Sequence, residues 1–219
     1  MNDGDSNRPR VVIVDTGIAN LASMSTGLRR VGLEPIASSD PSDLVDAAGL
    51  VLPGVGRFDA GVASLREAGF DSAIREFVDA ARPVLAVCLG MQLLGRDSLE
   101  APGVPGLGII EGSVRRLPPG RVRPHLGWNM VEPEGDAEGR IVSGRGAAYF
   151  ANGFAFRDEI PGWSIAWSDD GGRFVAALER GSILACQFHP EISGRFGTRL
   201  LSAWAGLVGR EVDPCCSPA

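Results

Sequence analysis

In the first ninety residues, short apolar runs alternate with helical patterns, and this alternation limits the chain to a small set of folds. The runs lack the polar alternation of a half-exposed strand, so they are typical of strands buried on both faces of a parallel sheet. Strand and helix in regular alternation predict an α/β sheet with right-handed crossovers. We predict strands at Arg10–Asp15, Leu33–Ala37, Gly49–Leu52 and Pro83–Val87, and helices at Asn20–Gly32, Asp59–Ala68 and Asp71–Ala81.

The second half of the chain has a different pattern, in which short β-like runs are separated by clusters of Gly, Pro and Asp. These runs predict an antiparallel extension of the same sheet, and Gly194–Gly209 predicts a closing amphipathic helix. We find no internal repeat or long linker, and we predict one domain over residues 10–209, a disordered lead at 1–9 and a flexible tail at 210–219. The β-like runs are Gly112–Leu117, Ala147–Phe154, Ser164–Trp167, Phe174–Leu178 and Ile183–Phe188.

The composition excludes several classes of function. A formal net charge of −6 with scattered arginines argues against nucleic acid as a partner. No apolar run approaches the roughly 20 residues that span a bilayer, and the polar N-terminus has no signal-peptide core. We therefore expect a cytoplasmic protein without a membrane partner.

The chain has four cysteines, and their arrangement does not suggest a disulfide framework or a zinc site. Cys215 and Cys216 are adjacent in a Pro-containing tail, where we expect them to be exposed. Cys186 lies in an apolar run and is interpreted as a core residue. Cys88 is different, because it ends the strand Pro83–Val87 and is followed two positions later by Gly90.

The pattern around Cys88 is typical of a nucleophile elbow between a strand and a helix. A helix starting after Gly90 would direct its positive N-terminus at the sulfur and favour the thiolate, and the N–H of Leu89 would be free to act as an oxyanion donor. A thiol is only slightly ionised at neutral pH, so it needs a base. His189 can be that base, and Glu191, two residues later, can orient it.

A structural interpretation competes with this one, because a lone buried cysteine or histidine usually serves packing. The combination of Cys-x-Gly at one strand end with His-x-Glu after another favours catalysis. His125 is the only other histidine and the competing base, but no carboxylate is near it in sequence. The loop Pro53–Gly56 could supply a second oxyanion donor, although glycine-rich turns are common.

Five motifs extend this pattern along the chain: Pro53–Phe58, Cys88–Leu94, Pro105–Gly108, Pro124–Asn129 and Gln187–Glu191, the last followed by Ser193-Gly194. With them, about residues 10–208 resemble the class I (triad-type) glutamine amidotransferases, and within that class the glutaminase subunits of imidazole glycerol phosphate synthase. The Cys and His-Pro-Glu motifs are shared by the whole class. The Pro-Gly-Val-Gly-x-Phe and Pro-His-x-Gly-Trp-Asn motifs narrow the resemblance to these subunits.

The resemblance implies a single-domain, flavodoxin-like α/β fold with Cys88 as nucleophile, His189 as base and acid, and Glu191 as its orienter. It also implies hydrolysis of L-glutamine through a cysteinyl thioester, with no metal or organic cofactor. The ammonia would pass to a cyclase subunit, a (β/α)8 barrel, in a heterodimer that serves histidine biosynthesis. The implied oxyanion donors are Leu89, Val55 and Gly56, the glutamine-binding residues Gly54, Gln92, Glu100 and Tyr149, and the interface residues Asn20, Trp128 and Asn129.

The chain departs from the family pattern in four places. Asp15–Asn20 lacks a usual tyrosine and a second glycine, and Ala86 replaces a common glycine. The strand Tyr149–Phe154 ends in Asn152-Gly153-Phe154 where His-Ser-Tyr is usual, and Ile192 replaces a lysine after the His-Pro-Glu motif. These changes leave two alternatives open: a class I glutaminase with another ammonia acceptor, and a catalytically weak regulatory or scaffold subunit.

Overall fold

The structure is a computed structural model, and it describes residues 8–17, 20–118, 124–135 and 140–209. Most of the predicted lead and all of the predicted tail, including Cys215 and Cys216, lie outside these residues. The carbonyl of Pro9, the last residue of the predicted lead, accepts a hydrogen bond from the N–H of Glu34 at 3.0 Å. Ordered pairing therefore begins before Arg10.

A parallel half-sheet forms from the apolar runs of the first half, as predicted. Its strands are β1 (Arg10–Val14), β2 (Glu34–Ser38), β3 (Gly49–Leu52) and β4 (Val84–Val87), joined by β12 (Ile183–Cys186) from the end of the chain. Their order, β2-β1-β3-β4-β12, with every neighbouring pair parallel, is that of a flavodoxin-like doubly wound sheet.

The helices that connect these strands are α1 (Leu21–Arg30), α2 (Phe58–Glu67) and α3 (Phe70–Asp79). Asn20 begins α1 as predicted, because its side chain accepts the N–H of Ser23 at 3.2 Å and satisfies one orphan donor of the first turn. Apolar residues recur at helical spacing on the inner face of each helix, and this spacing made the helices predictable from sequence.

An antiparallel half extends the sheet to nine strands among the described residues. The order continues from β12 through β11 (Arg173–Arg180) and β10 (Ser164–Asp169) to β7 (His125–Pro133) and β8 (Gly146–Asn152). Strand β7 was not predicted from the sequence. Only Val131 of its nine residues is buried, so β7 carries no apolar alternation.

The expectation that every run of the second half joins one sheet is wrong for Gly112–Leu117. A separate small sheet contains β5 (Gly95–Ser98), β6 (Ile110–Arg116) and β9 (Phe154–Phe156) in the order β5-β6-β9. The buried side chains of β6 belong to the core cluster on one face of the main sheet. The predicted strand Ala147–Phe154 is interrupted at Gly153 and divided between β8 and β9.

Two apolar clusters pack against the two faces of the main sheet. Helices α2 and α3 contribute to one cluster, and α1 and α5 (Gly194–Val208) to the other. The carboxyl ends of β3, β4 and β12 are therefore left at one edge, the position where open α/β sheets bind ligands. No helix in the described ranges has the length and apolar character needed to cross a membrane.

Candidate active site

The chain reverses sharply at Cys88, directly after β4. Cys88 has φ 55° and ψ −113°, a conformation that residues with a Cβ rarely adopt and that marks a strained elbow. Its N–H donates to the carbonyl of Cys186 at 2.7 Å, which ties the elbow to β12. Helix α4 (Leu89–Leu93) begins at the next residue, so the predicted elbow at Cys88 is present.

Close backbone contact explains why a glycine stands at position 90. A Cβ at Gly90 would lie 1.9 Å from the carbonyl oxygen of Leu52 at the end of β3. Helix α4 has five residues and begins at Leu89, rather than after Gly90 as predicted.

His189 lies opposite the elbow, just after the end of β12, and its backbone and side chain are both fixed. Its N–H donates to the carbonyl of Tyr149 at 2.9 Å, and its own carbonyl accepts the hydroxyl of Ser193 at 2.6 Å. Its Nδ1 lies 2.9 Å from Oε1 of Glu191, and both Cys88 and Glu191 act on the charge of its ring. The three residues predicted from the sequence thus lie together.

The charge state of this group follows from its contacts. Burial by itself lowers the pKa of His189, but hydrogen bonds and charge interactions with Cys88 and Glu191 outweigh burial and raise the pKa to about 10. An imidazolium at neutral pH favours a thiolate beside it. In contrast, burial raises the pKa of Cys186 far above its usual range, which keeps that thiol protonated and unreactive.

The N–H of Leu89 is not free, and the expectation of an open oxyanion donor is wrong for this structure. It donates to the carbonyl of Gly54 at 3.3 Å. The loop after β3 therefore approaches the elbow closely, and a Cβ at Gly54 would lie 3.0 Å from the Cβ of Leu89. Val55 and Gly56 follow at the exposed end of this loop.

A cavity of about 470 Å³ opens above Cys88. Most of the predicted catalytic and substrate-binding residues line it, but Gly54, Glu191 and Tyr149 do not. The ring of Tyr149 packs instead edge-on against Trp128, with 6.1 Å between the ring centres. The predicted residues that line the cavity are Val55, Gly56, Cys88, Leu89, Gln92, Glu100 and His189. Tyr149 acts here through its backbone, which holds His189 and Ser193.

The two polar residues predicted to bind substrate also have structural partners. Nε2 of Gln92 donates to the carbonyl of Phe154 and to Oε1 of Gln187, both at 2.9 Å. Oε2 of Glu100 accepts the N–H of Phe58 at 2.9 Å and so caps the first turn of α2. Both side chains are therefore held in place in the cavity wall.

The three predicted interface residues have different surroundings. Asn20 caps α1, and the side chain of Asn129 donates to the carbonyl of Asp169 and accepts the N–H of Met130. Trp128 is 57% exposed, and Leu126, on the same side of β7, is 64% exposed. An exposed apolar patch on β7 is typical of a surface that binds another protein.

His125, the competing base, does have a carboxylate partner. Its Nδ1 lies 3.3 Å from Oδ2 of Asp170, which is distant in sequence. His125 is not among the residues that line the cavity above Cys88. Within the described residues, no group of three or more His, Cys, Asp and Glu side chains could hold a metal ion.

Sequence reasoning gave no role to several residues of this site. Gln187 lies in the motif Gln187–Glu191, but only the fold brings its side chain to Cys88 and Gln92. Arg116 is a basic residue of the small sheet, and no sequence signal connects it to the nucleophile. The other lining residues without a predicted role are Pro124, Ala151, Asn152, Gly153 and Phe154.

Comparison with known proteins agrees with this geometry. The sequence profile described as "Glutamine amidotransferase class-I" matches residues 12–205. An imidazole glycerol phosphate synthase subunit HisH from Symbiobacterium thermophilum is 45% identical over 202 residues, covering 91% of this chain and 94% of that protein. The subunit of that name from Escherichia coli K12 is 42% identical, covering 87% of this chain and 96% of its own.

Solved structures support the fold alone. A "glutamine amidotransferase" crystal structure superposes with a TM-score of 0.73 at 24% identity, covering 91% of this chain and 99% of its own. The structure of PurLQS from Thermotoga maritima superposes with a TM-score of 0.74 at 18% identity, covering 91% of this chain and 99% of its own.

The family profile and the HisH relatives both span most of the sequence. The chain therefore belongs to the class I glutamine amidotransferases, a family of enzymes, and within it to the HisH subunits of imidazole glycerol phosphate synthase.

Proposed function

We propose that this chain is the glutaminase subunit of an imidazole glycerol phosphate synthase. It hydrolyses L-glutamine to glutamate and ammonia and supplies the ammonia to a cyclase subunit, a (β/α)8 barrel, in L-histidine biosynthesis. The observation that carries the proposal is the group of Cys88, His189 and Glu191 at a cavity, in a chain that is 45% identical to a HisH subunit.

The reaction follows from the charge state of the triad. The Cys88 thiolate attacks the side-chain amide carbon of glutamine, and the amide oxygen takes up the negative charge. His189 gives its proton to the departing nitrogen, ammonia leaves, and a γ-glutamyl thioester remains on Sγ. His189 then takes a proton from water, which attacks the thioester and releases glutamate. Glu191 holds the imidazole in place and stabilises its charged form.

The oxyanion hole requires one local rearrangement. The carbonyl of Gly54 and the N–H of Val55 belong to the same peptide unit. Rotation of that unit therefore removes the acceptor from the N–H of Leu89 and brings a second donor towards the cavity. Each donor stabilises the transition state by about 3–4 kcal/mol, so we expect slow hydrolysis until this peptide turns. Val55 is 44% exposed, and a partner subunit can contact the loop directly.

We place the partner on the face of the sheet that carries Trp128. Leu126, Trp128 and Ile192 are large apolar side chains that are 64%, 57% and 45% exposed. The triad lies near Trp128, because Trp128 packs on Tyr149 and the carbonyl of Tyr149 accepts the N–H of His189 at 2.9 Å. Asn20 and Asn129 are assigned to the same interface by the resemblance alone, and their contacts within the chain leave that role as a prediction.

The proposal is tested by measuring glutamate release by this chain alone and with the cognate cyclase loaded with its nucleotide ligand. We expect a low rate alone and a strong rise with the loaded cyclase. A Cys88-dependent rate without any rise would assign the glutaminase to a different ammonia acceptor. No hydrolysis in either mixture would favour the scaffold alternative and end the proposal.

The pH dependence of hydrolysis reports on the triad. The pKa of His189 is raised to about 10 from an ordinary 6.5, so His189 is charged at neutral pH, and the activity is expected to fall as the pH rises through the value near 10. The stabilisation of the fold by this charge is complete below pH 6.5 and is lost as the pH rises through the value near 10.

Glu191→Gln removes the negative charge beside His189. We expect the alkaline limb of the kcat/KM profile to move down by at least about one pH unit. An unmoved limb would show that Glu191 does not support the imidazolium.

Arg116 is expected to bind the α-carboxylate of glutamine. Its guanidinium lies 5.2 Å from the centre of the Phe154 ring, and both residues line the cavity. Arg116→Ala is expected to raise the KM for glutamine about tenfold with a smaller effect on kcat, because a hydrogen bond to a charged group is lost. Arg115→Ala is the matched control, since Arg115 pairs with Asp158 at 2.9 Å and is not a lining residue. Equal KM values for the two variants would contradict the assignment.

A further inference from the structure

A fully buried amide lies directly behind the nucleophile. Gln187 follows β12, its side chain has no exposed surface, and its N–H donates to the carbonyl of Ala176 at 2.8 Å. Its side-chain amide lies between Sγ of Cys88, at 3.8 Å, and the amide of Gln92, at 2.9 Å. A buried amide needs partners for both of its ends, and these two groups are those partners.

The orientation of the Gln187 amide follows from the Phe154 carbonyl, which can only accept a hydrogen bond. The carbonyl oxygen of Phe154 has no proton, so the Gln92 atom at 2.9 Å from it must be Nε2. The same Nε2 lies 2.9 Å from the Gln187 amide, and the atom that it meets there must be the oxygen. The nitrogen of Gln187 therefore faces Cys88 and presents a proton to Sγ.

We propose that Gln187 stabilises the Cys88 thiolate by donating a hydrogen bond to Sγ, and that Gln92 and the Phe154 carbonyl hold Gln187 in the donating orientation. The sulfur then has a second donor besides His189. An amide cannot give up its proton, so Gln187 does not compete with His189 for proton transfer. A hydrogen bond to a charged acceptor is stronger in a site from which water is excluded, and this site is buried.

The hydrogen bonds that run from the Phe154 carbonyl through Gln92 and Gln187 to Sγ form a relay. This relay also connects the substrate pocket to the nucleophile. Gln92 and Phe154 both line the cavity, whereas Gln187 lies behind it. Any movement of Gln92 when the cavity is filled is transmitted to the amide that faces Sγ, because both hydrogen bonds of the relay share Nε2 of Gln92. This inference extends the proposed function to a residue that supports the nucleophile, but its test does not require glutamine or a partner subunit.

The test is the pH dependence of Cys88 alkylation by iodoacetamide, followed on the Cys88 peptide by mass spectrometry in the full-length protein. Gln187→Met keeps the length of the side chain and removes the donor. We expect the pH of half-maximal alkylation rate to rise by about one unit, which corresponds to an ionisation constant about tenfold lower. An unchanged midpoint in a folded Gln187→Met variant would overturn the proposal.

Ser168→Ala is the matched control, because Ser168 is a buried polar residue that does not line the cavity above Cys88. Its alkylation midpoint is expected to stay at the wild-type value, and a shift equal to that of Gln187→Met would overturn the specific role of Gln187.

If Gln187→Met does not fold, Gln187→Glu preserves the oxygen that Gln92 uses and replaces the donor with a second acceptor. Its alkylation at pH 8 is expected to be at least about tenfold slower than that of wild type. A wild-type rate would overturn the proposal. A midpoint shift in a chain without glutaminase activity would leave this inference standing and reject the proposed function alone.

Discussion

Replacement of Cys88 with alanine is expected to abolish glutamine hydrolysis, with kcat reduced by a factor on the order of 10⁴ or more. The reason is that Cys88 supplies the sulfur that acts on His189 at the cavity, and without it no thioester forms. The measurement is glutamate release in the presence of the loaded cyclase, where wild-type activity is highest. Mass spectrometry is expected to detect a trapped thioester on the wild-type protein and none on the variant.

Cys186→Ala is the matched control for this result. Cys186 is fully buried in β12, and burial keeps its thiol protonated, so its removal is expected to leave most of the hydrolysis in place. Retained activity in Cys88→Ala, or a loss of equal size in Cys186→Ala with the fold intact, would mean that the nucleophile has been assigned to the wrong residue.

Replacement of Gly90 with alanine is expected to disrupt the elbow. The added methyl group would lie 1.9 Å from the carbonyl oxygen of Leu52 and 2.8 Å from the carbonyl carbon of the same residue. The backbone of a strand in the middle of a sheet cannot move away to make room. We expect a loss of about 3 kcal/mol in the free energy of unfolding, measured by urea denaturation. We also expect at least about a hundredfold loss of glutamate release, because a displacement near 1 Å is enough to misplace a nucleophile.

Gly206→Ala provides the control for the same chemical change. Gly206 lies within α5, and nothing stands within 4 Å of the position of its added Cβ. Alanine is the better helix former, so this variant is expected to be as stable as wild type or more stable by up to about 1 kcal/mol. Wild-type stability and activity in Gly90→Ala would contradict the close contact between the elbow and β3.

Some features of the site could be predicted because they depend on short stretches of sequence. The strand before Cys88 has no polar residue, Gly90 provides the space that the turn needs, and Glu191 lies two residues after His189. Each of these patterns has a local physical cause. The structure therefore brings the three predicted residues together, although Cys88 and His189 are about a hundred residues apart in sequence.

Other features depend on contacts between distant residues, and no local pattern encodes them. The strand β7 is mostly exposed, so its pairing with β8 and β10 was not predictable from apolar alternation. His125 finds its carboxylate in Asp170 only after β7 and β10 have been brought together. The small sheet arises because Gly153 divides one predicted strand between two sheets.

The sequence by itself determined the doubly wound half of the sheet, the elbow and the choice of Cys88, His189 and Glu191 as the proposed triad, because apolar periodicity and residue chemistry are local properties. Only the tertiary structure decided that the N–H of Leu89 is engaged by Gly54 and that the amide of Gln187 faces Cys88. Glycine permits more than one peptide orientation, and a buried amide acquires its direction from its neighbours. Both outcomes therefore depend on how distant elements pack.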